Sequence, residues 1–259
     1  GEPDAEGGEM EEKRVLMGWG YMAYLEGGDG RPLVFVHGAG GGAQVWSRVL
    51  EDLEVDYRVL ALDLPGHGRS SCKLEETVEG YTSRVVEFLE ALDLEDVLLV
   101  GHSMGGAIVI KAVPRCARVT GAVLVGTGAV LEVNPKLLRG LKENFGGSVA
   151  MMARWCFSRD VAAELLEEAR EMMLQAGMEV LYRDMYACSL YSGEEDLRSF
   201  FLPTLVVCGE KDVMTPPSLS QELVEKIEGA HLAFIPDSGH MVHLERPLEL
   251  AEAIRCFLS

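Results

Sequence analysis

Six short apolar runs, most of them followed by a stretch of helical periodicity, constrain this chain more than any other feature. They are "RPLVFVH", "YRVLALD", "DVLLVGH", "VTGAVLVGTG", "PTLVVCGE" and "AHLAFIP". Runs this short that stay apolar at consecutive positions read as strands buried on both faces, because a strand with one wet face alternates. Helical patterns stand between them: "AQVWSRVLEDL", residues 78–92, a segment from Met104 that Pro114 ends, residues 219–227, and a last stretch from about Leu248. Parallel strands need such crossovers. The pattern therefore predicts a mostly parallel sheet, helices on both faces, and reactive groups gathered at the carboxyl ends of the strands. Two more short strands, "RVLMGW" and "GYMAYLEG", precede the first run.

The alternation breaks between about Val130 and Arg198. Asn134-Pro135 is a helix cap followed by a first-turn proline. Val161, Leu165, Ala169, Met172 and Met173 recur at helical spacing, as do Met178, Leu181, Met185 and Cys188. Residues 130–198 are expected to form a helical insertion, a cap, between two parts of one α/β core at 14–129 and 199–259. The acidic, Gly-rich start, residues 1–13, is expected to be a disordered tail.

A formal net charge of −19 repels nucleic acid and anionic membranes. No apolar run reaches the roughly 18 residues of a membrane span. The six cysteines stand singly, without ligand spacing, and read as buried thiols of a reducing compartment. The expectation is a cytoplasmic protein, monomer or homodimer, with no metal, no cofactor, no nucleic-acid partner and no stable membrane association.

The glycines of "FVHGAGGGAQVW" admit two devices. Gly38, Gly40 and Ala43 fit G-x-G-x-x-A after a strand, and Asp63 follows about 20 residues on, as a dinucleotide site requires. The same letters spell His-Gly-x-Gly, a loop that lends a backbone N–H to an oxyanion. The segment "LLVGHSMGGA" bears on the choice. Ser103 stands in a G-x-S-x-G between an apolar strand and a helix, where small residues at 101 and 105 let the two approach and the turn lifts the hydroxyl above the sheet. A serine nucleophile needs a base, and the base a carboxylate. His240 and Asp212 each follow a strand and complete the order Ser, Asp, His. Glu210 and Glu132 are alternative acids; Asp237 is too near His240 in the chain to orient it.

The pieces "HGAGG", "DLPGHGRS", "GHSMGG", "CGEKD" and "GHMVHLERP" closely resemble the α/β-hydrolase superfamily, in particular its small capped esterase-like members, over about residues 14–259. The resemblance implies an eight-stranded, mostly parallel sheet, Ser103 as nucleophile, Asp212 as acid and His240 as base. It also implies backbone N–H groups of Ala39 and Met104 as the oxyanion hole, and makes Asp63 the start of the "DLPGHGRS" loop. His37 and His102 are expected to pack behind their turns, His67 to sit in one, and His243 to stay outside the chemistry. Trp46, Trp155, Tyr182 and Met241 are candidate pocket residues, and the cap is expected to select the acyl chain without taking part in the chemistry. The expected activity is hydrolysis of carboxylic esters of small to medium apolar acids through an acyl-enzyme. Thioesterase, lactonase, perhydrolase or slow ligand-receptor functions use the same parts. Carbon–carbon hydrolases of the family commonly follow the histidine with Trp, whereas Met241 stands here.

Overall fold

The computed structural model describes residues 10–71 and 74–259. Strand β1 (Glu11–Met17) already contains residues 11–13, so the folded part begins before residue 14. Residues 1–9 of the expected tail, and Cys72, lie outside the described residues.

The other strands are β2 (Gly20–Gly27), β3 (Pro32–Val36), β4 (Arg58–Leu62), β5 (Val97–His102), β6 (Val119–Val125), β7 (Thr204–Gly209) and β8 (His231–Ile235). Among the described residues they form one eight-stranded sheet in the order β1-β2-β4-β3-β5-β6-β7-β8. β2 runs antiparallel to both β1 and β4, and from β4 to β8 every pairing is parallel. All six residues of β5, the central strand, are buried.

The strand period of two divides the core. Val34, Val36, Leu60, Leu62 and Leu99 join α2 (Val78–Ala91), α3 (Met104–Ala112) and α9 (Pro217–Lys226) on one face. Leu33, Phe35, Val59, Ala61, Leu98 and Val100 join α1 (Ser47–Leu53) and α11 (Pro247–Leu258) on the other. The predicted helix at 43–53 begins as a 3₁₀ turn, Ala43–Trp46, before α1. β8 is the exception to the double burial expected of these runs: it is the sheet edge, and only Ile235 of its five residues is buried.

Between β6 and β7 lie α4 (Pro135–Glu143), α5 (Phe145–Trp155), α6 (Ala163–Ala176), α7 (Met178–Leu190) and the single turn α8 (Glu194–Leu197). Asn134 caps α4 as its sequence suggests, its side chain accepting the N–H of Lys136 at 2.9 Å. Leu137, Leu141, Val149, Met152, Met173 and Leu181 of these helices pack into the same apolar cluster as the α1 face of the sheet. The insertion is therefore built onto the core, and its position is set by burial of a shared apolar surface. A short helix that the sequence did not suggest, α10 (Val242–Glu245), precedes α11.

Candidate active site

Ser103 joins β5 directly to α3 with φ +55° and ψ −116°, a region L-residues rarely occupy. Three bonds hold it there. Its N–H donates to Val125 O (3.0 Å), and its carbonyl accepts from Thr127 Oγ1 (2.8 Å) and from Ala107 N (3.1 Å). The turn is this sharp because a Cβ on Gly101 would stand 2.2 Å from the carbonyl oxygen of Gly105, so strand and helix meet backbone to backbone. The first N–H groups of α3, which begins at Met104, have no acceptor within the helix, and a helix N-terminus of this kind favours an anion.

Asp212 lies in the turn after β7 and is fixed through both oxygens. Oδ1 accepts the N–H groups of Met214 and Thr215, each at 2.9 Å, while Oδ2 accepts Thr215 Oγ1–H at 2.8 Å and His240 Nδ1–H at 2.9 Å. Thr215 Oγ1 also lies 3.0 Å from His240 Nδ1. With the threonine proton given to the carboxylate, the imidazole proton belongs on Nδ1, leaving the Nε2 lone pair free to accept one. Burial opposes ionisation of Asp212, but the adjacent His240 and the Thr215 donors together hold its carboxyl below the usual range. His240 is steadied from behind, its carbonyl accepting His102 Nε2–H at 2.8 Å.

The glycine loop after β3 abuts the serine, since a Cβ on Gly38 would be 3.3 Å from Ser103 Cβ. The orientation of the Ala39 N–H follows from the other end of its peptide. Gly38 O accepts Gly41 N–H (3.2 Å) and His37 Nδ1–H (2.8 Å). His37 Nε2 accepts Leu64 N–H at 3.1 Å, which assigns the proton to Nδ1; burial lowers the pKa of this histidine to about 3 and keeps it neutral. Ser103, His240, Ala39, Thr215 and Met241 border one cavity of about 70 Å³. Sulfur side chains make up half of the rest of its lining: Met152, Met172, Met173, Met185, Met214, Cys156 and Cys188.

The sequence profile of the Alpha/beta hydrolase family matches residues 33–253. The chain belongs to that family. It is 29% identical to a 2-hydroxy-6-oxo-6-(2'-aminophenyl)hexa-2,4-dienoic acid hydrolase of Metapseudomonas resinovorans, covering 96% of this chain and 91% of the relative. It is 31% identical, over 90% of its length, to the dihydrolipoyllysine-residue acetyltransferase component of the acetoin cleaving system of Pseudomonas putida, and it spans 65% of that longer protein. Among solved structures it superposes on a thermophilic esterase with a TM-score of 0.87 and 30% identity, covering 96% of this chain and 97% of the other.

Within this α/β-hydrolase frame, the residues of the dinucleotide fingerprint have a structural task. Asp63 Oδ1 accepts Ala43 N–H (2.7 Å) and Oδ2 accepts Arg69 N–H (3.2 Å), so the carboxylate stitches the glycine loop to the "DLPGHGRS" loop. Neither Glu210 nor Asp237 reaches His240: Glu210 is exposed, and Asp237 pairs with Lys211 at 3.2 Å. Glu132 is an exposed residue at the cavity border.

The four pocket candidates separate. Met241 lines the cavity. Trp46 does not; the 3₁₀ turn aims it inward, fully buried between Phe35 and His243 with ring centroids at 5.1 and 4.7 Å. Trp155, at the end of α5, is 39% exposed. Tyr182 stacks on Tyr186, with Lys142 Nζ 4.2 Å from its ring centre. These three are corrected from pocket wall to core or surface. Met104 supplies a backbone position at the start of α3, and its side chain is buried in the core. His102 and His243 are buried with ring centroids 4.3 Å apart; burial lowers the pKa of His243 to about 3, and this residue also borders the cavity.

Sequence reasoning missed Thr215, although a hydroxyl three residues after a turn aspartate is a recognisable local hydrogen-bonding pattern. It also missed a buried cluster in which Asp184 of α7 meets His67, Tyr81 and Gly40. No local signal connects those four positions.

Proposed function

We propose that this chain is a serine hydrolase cleaving carboxylic esters of small to medium apolar acids. The observation that carries the reading is the junction of a strained Ser103 turn and an Asp212–His240 pair on one cavity. His240 Nε2 takes the proton of Ser103 as the oxygen attacks the ester carbonyl. The N–H groups of Ala39 and Met104 receive the oxyanion, a contribution of about 3–4 kcal/mol per donor in enzymes of this kind. The imidazolium then protonates the leaving alcohol, and water clears the acyl-enzyme by the same steps in reverse order.

The cavity supports an apolar acyl group, since thioether walls are apolar and adapt their shape. Residues 130–198 act as the cap, with Met152, Met172, Met173 and Met185 as acyl-facing walls. The likeness to a thermophilic esterase supports the same reading. Peracid formation fits less well, because an oxidant released there would meet six methionines. The test is a panel of esters and thioesters varied in acyl length and leaving group, run with Ser103→Ala. Turnover of short and medium acyl esters at or above about 1 s⁻¹, lost in the variant, is the expected result. A single stoichiometric burst with negligible turnover afterwards supports a ligand receptor instead.

A further inference from the structure

Asp184 lies on α7, inside the insertion, and is fully buried. Its Oδ2 accepts two bonds, from the Gly40 N–H at 2.8 Å and from His67 Nε2 at 2.5 Å, and Oδ1 accepts Tyr81 Oη–H at 2.7 Å. His67 has only acceptors at its two nitrogens, the carboxylate and Pro65 O at 3.0 Å, so both nitrogens must donate and the ring is an imidazolium. A buried ion pair thus spans from the core to the insertion. One turn before Asp184, Leu181 closes on the same glycine: a Cβ at Gly40, where φ is +64°, would stand 2.7 Å from Leu181 Cδ1. Two contacts of one helix meet on the residue next to Ala39.

We propose that Asp184 is a positioning residue for the oxyanion side of the site, fixing the Gly40 peptide from the insertion so that the preceding N–H, that of Ala39, holds its direction. The inference rests on the ester-hydrolase reading given above. Two consecutive peptides of the loop are pinned from opposite sides. His37 of the core bonds the carbonyl of the Gly38–Ala39 peptide, and Asp184 bonds the N–H of the Ala39–Gly40 peptide. Releasing the second lets the loop turn about Ala39, and a displacement near 1 Å costs about 10²-fold in rate when it moves a group that acts on the transition state.

The experiment compares the full-length chain with Asp184→Ala, Asp184→Asn and Tyr81→Phe. It measures kcat and KM for a short ester and the rate at which a fluorophosphonate labels Ser103. Asp184→Ala is expected to lower kcat and the labelling rate together by about 10²-fold, with KM within about threefold, because the oxyanion donors act on the tetrahedral adduct and not on substrate capture. Asp184→Asn keeps an oxygen for the Gly40 N–H and is expected to recover at least about tenfold of that loss. Tyr81→Phe removes a bond to the other oxygen and is expected to keep kcat within about threefold. Should Asp184→Ala not fold, Leu181→Ala removes the other contact with Gly40 while leaving the charges paired, and a kcat loss of about tenfold is expected there. Unchanged kcat in a folded Asp184→Ala or Leu181→Ala, a loss carried by KM, or an equal loss in Tyr81→Phe overturns the inference and leaves the ester-hydrolase reading intact. A wild-type chain with neither Ser103-dependent turnover nor Ser103 labelling overturns both.

Discussion

Replacing Asp212 by Asn tests the candidate triad through a single proton. Oδ1 of this carboxylate receives two backbone N–H groups, those of Met214 and Thr215, each at 2.9 Å. An asparagine in the same turn must offer its carbonyl oxygen to those donors, since an amide NH₂ there would face two N–H groups. The NH₂ then occupies the Oδ2 position, 2.9 Å from His240 Nδ1. That nitrogen must become an acceptor, the ring proton moves to Nε2, and Nε2 can no longer take the serine proton. The fold should survive, because the backbone bonds are kept. The lost step is general-base catalysis, for which a wrong imidazole tautomer costs about 10⁴-fold in kcat, about 5.5 kcal/mol at 1.36 kcal/mol per tenfold. Steady-state hydrolysis of a short activated ester, alongside circular dichroism and thermal melting, measures it. A folded Asp212→Asn enzyme retaining more than about a tenth of wild-type kcat refutes this reasoning, as does Glu210→Gln proving the more damaging change.

Gly101→Ala should both destabilise and inactivate: its Cβ would meet Gly105 O at 2.2 Å, and the shift that relieves this moves Ser103, so thermal melting should report a loss of about 1–3 kcal/mol or more and kcat should fall about 10²-fold. Gly146→Ala, whose added carbon meets nothing within 4 Å in α5, should be neutral or stabilising by up to about 1 kcal/mol. The His67–Asp184 pair predicts a stability window. Burial opposes both charges, yet their attraction raises the pKa of His67 above its ordinary 6.5 and lowers that of Asp184 below 3.8. The histidine contribution is complete below pH 6.5 and lost as pH rises through the raised value, and the aspartate contribution is complete above 3.8 and lost as pH falls through the lowered one. Melting temperature followed from pH 5 to 9 should therefore fall on the alkaline side in the wild type, and less so in Asp184→Asn; parallel profiles contradict the pair. Mild peroxide should oxidise the exposed Met151 and Met178 first without loss of turnover, and reduce ester turnover only as the half-buried Met172 and Met214 follow, reversibly with methionine sulfoxide reductases; full activity with both of the latter oxidised places the substrate elsewhere.

What was legible in the sequence is what neighbours in the chain decide. The β5–Ser103–α3 junction, the Asn134 cap and the burial of β3 and β4 on both faces follow from residues within one or two turns of each other, and all are present. Their helical periodicity marked Met172, Met173 and Met185 as facing inward. Whether that meant core or cavity depends on how α6 and α7 fold over the sheet, which periodicity does not encode. Trp46 was misplaced for the same kind of reason: an aromatic beside the glycine loop suggests a pocket wall, but the 3₁₀ turn rotates it onto Phe35 and His243. β8 reads as a doubly buried strand from its apolar letters, and only its place at the sheet edge leaves it half-wet. Asp184 was beyond reach, because its partners Gly40, His67 and Tyr81 lie 144, 117 and 103 positions away.

That distance alters the division of labour between core and insertion. An insertion that only selected acyl chains needs no more than apolar contact with the core, and apolar surfaces tolerate sliding because the hydrophobic effect is non-directional. This one is joined by directional bonds on both sides of the cavity. On the His240 side, Met241 N–H donates to Cys156 O at 3.0 Å, and Glu245 accepts both Ser158 N–H at 3.2 Å and Gly239 N–H at 2.9 Å. On the glycine-loop side stands the Asp184 cluster, where a broken partnership leaves a buried charge uncompensated at a cost of about 3–5 kcal/mol. Such bonds hold one register and penalise the rest. Substitutions in residues 130–198 therefore sort by what the side chain touches. On the ester-hydrolase reading, changes at Met152 or Met173 are expected to alter which acyl group fits, whereas changes at Asp184, or at Ser158, whose hydroxyl also donates to Glu245, are expected to act on the loops that carry Ala39 and His240, and so on the rate for every ester alike.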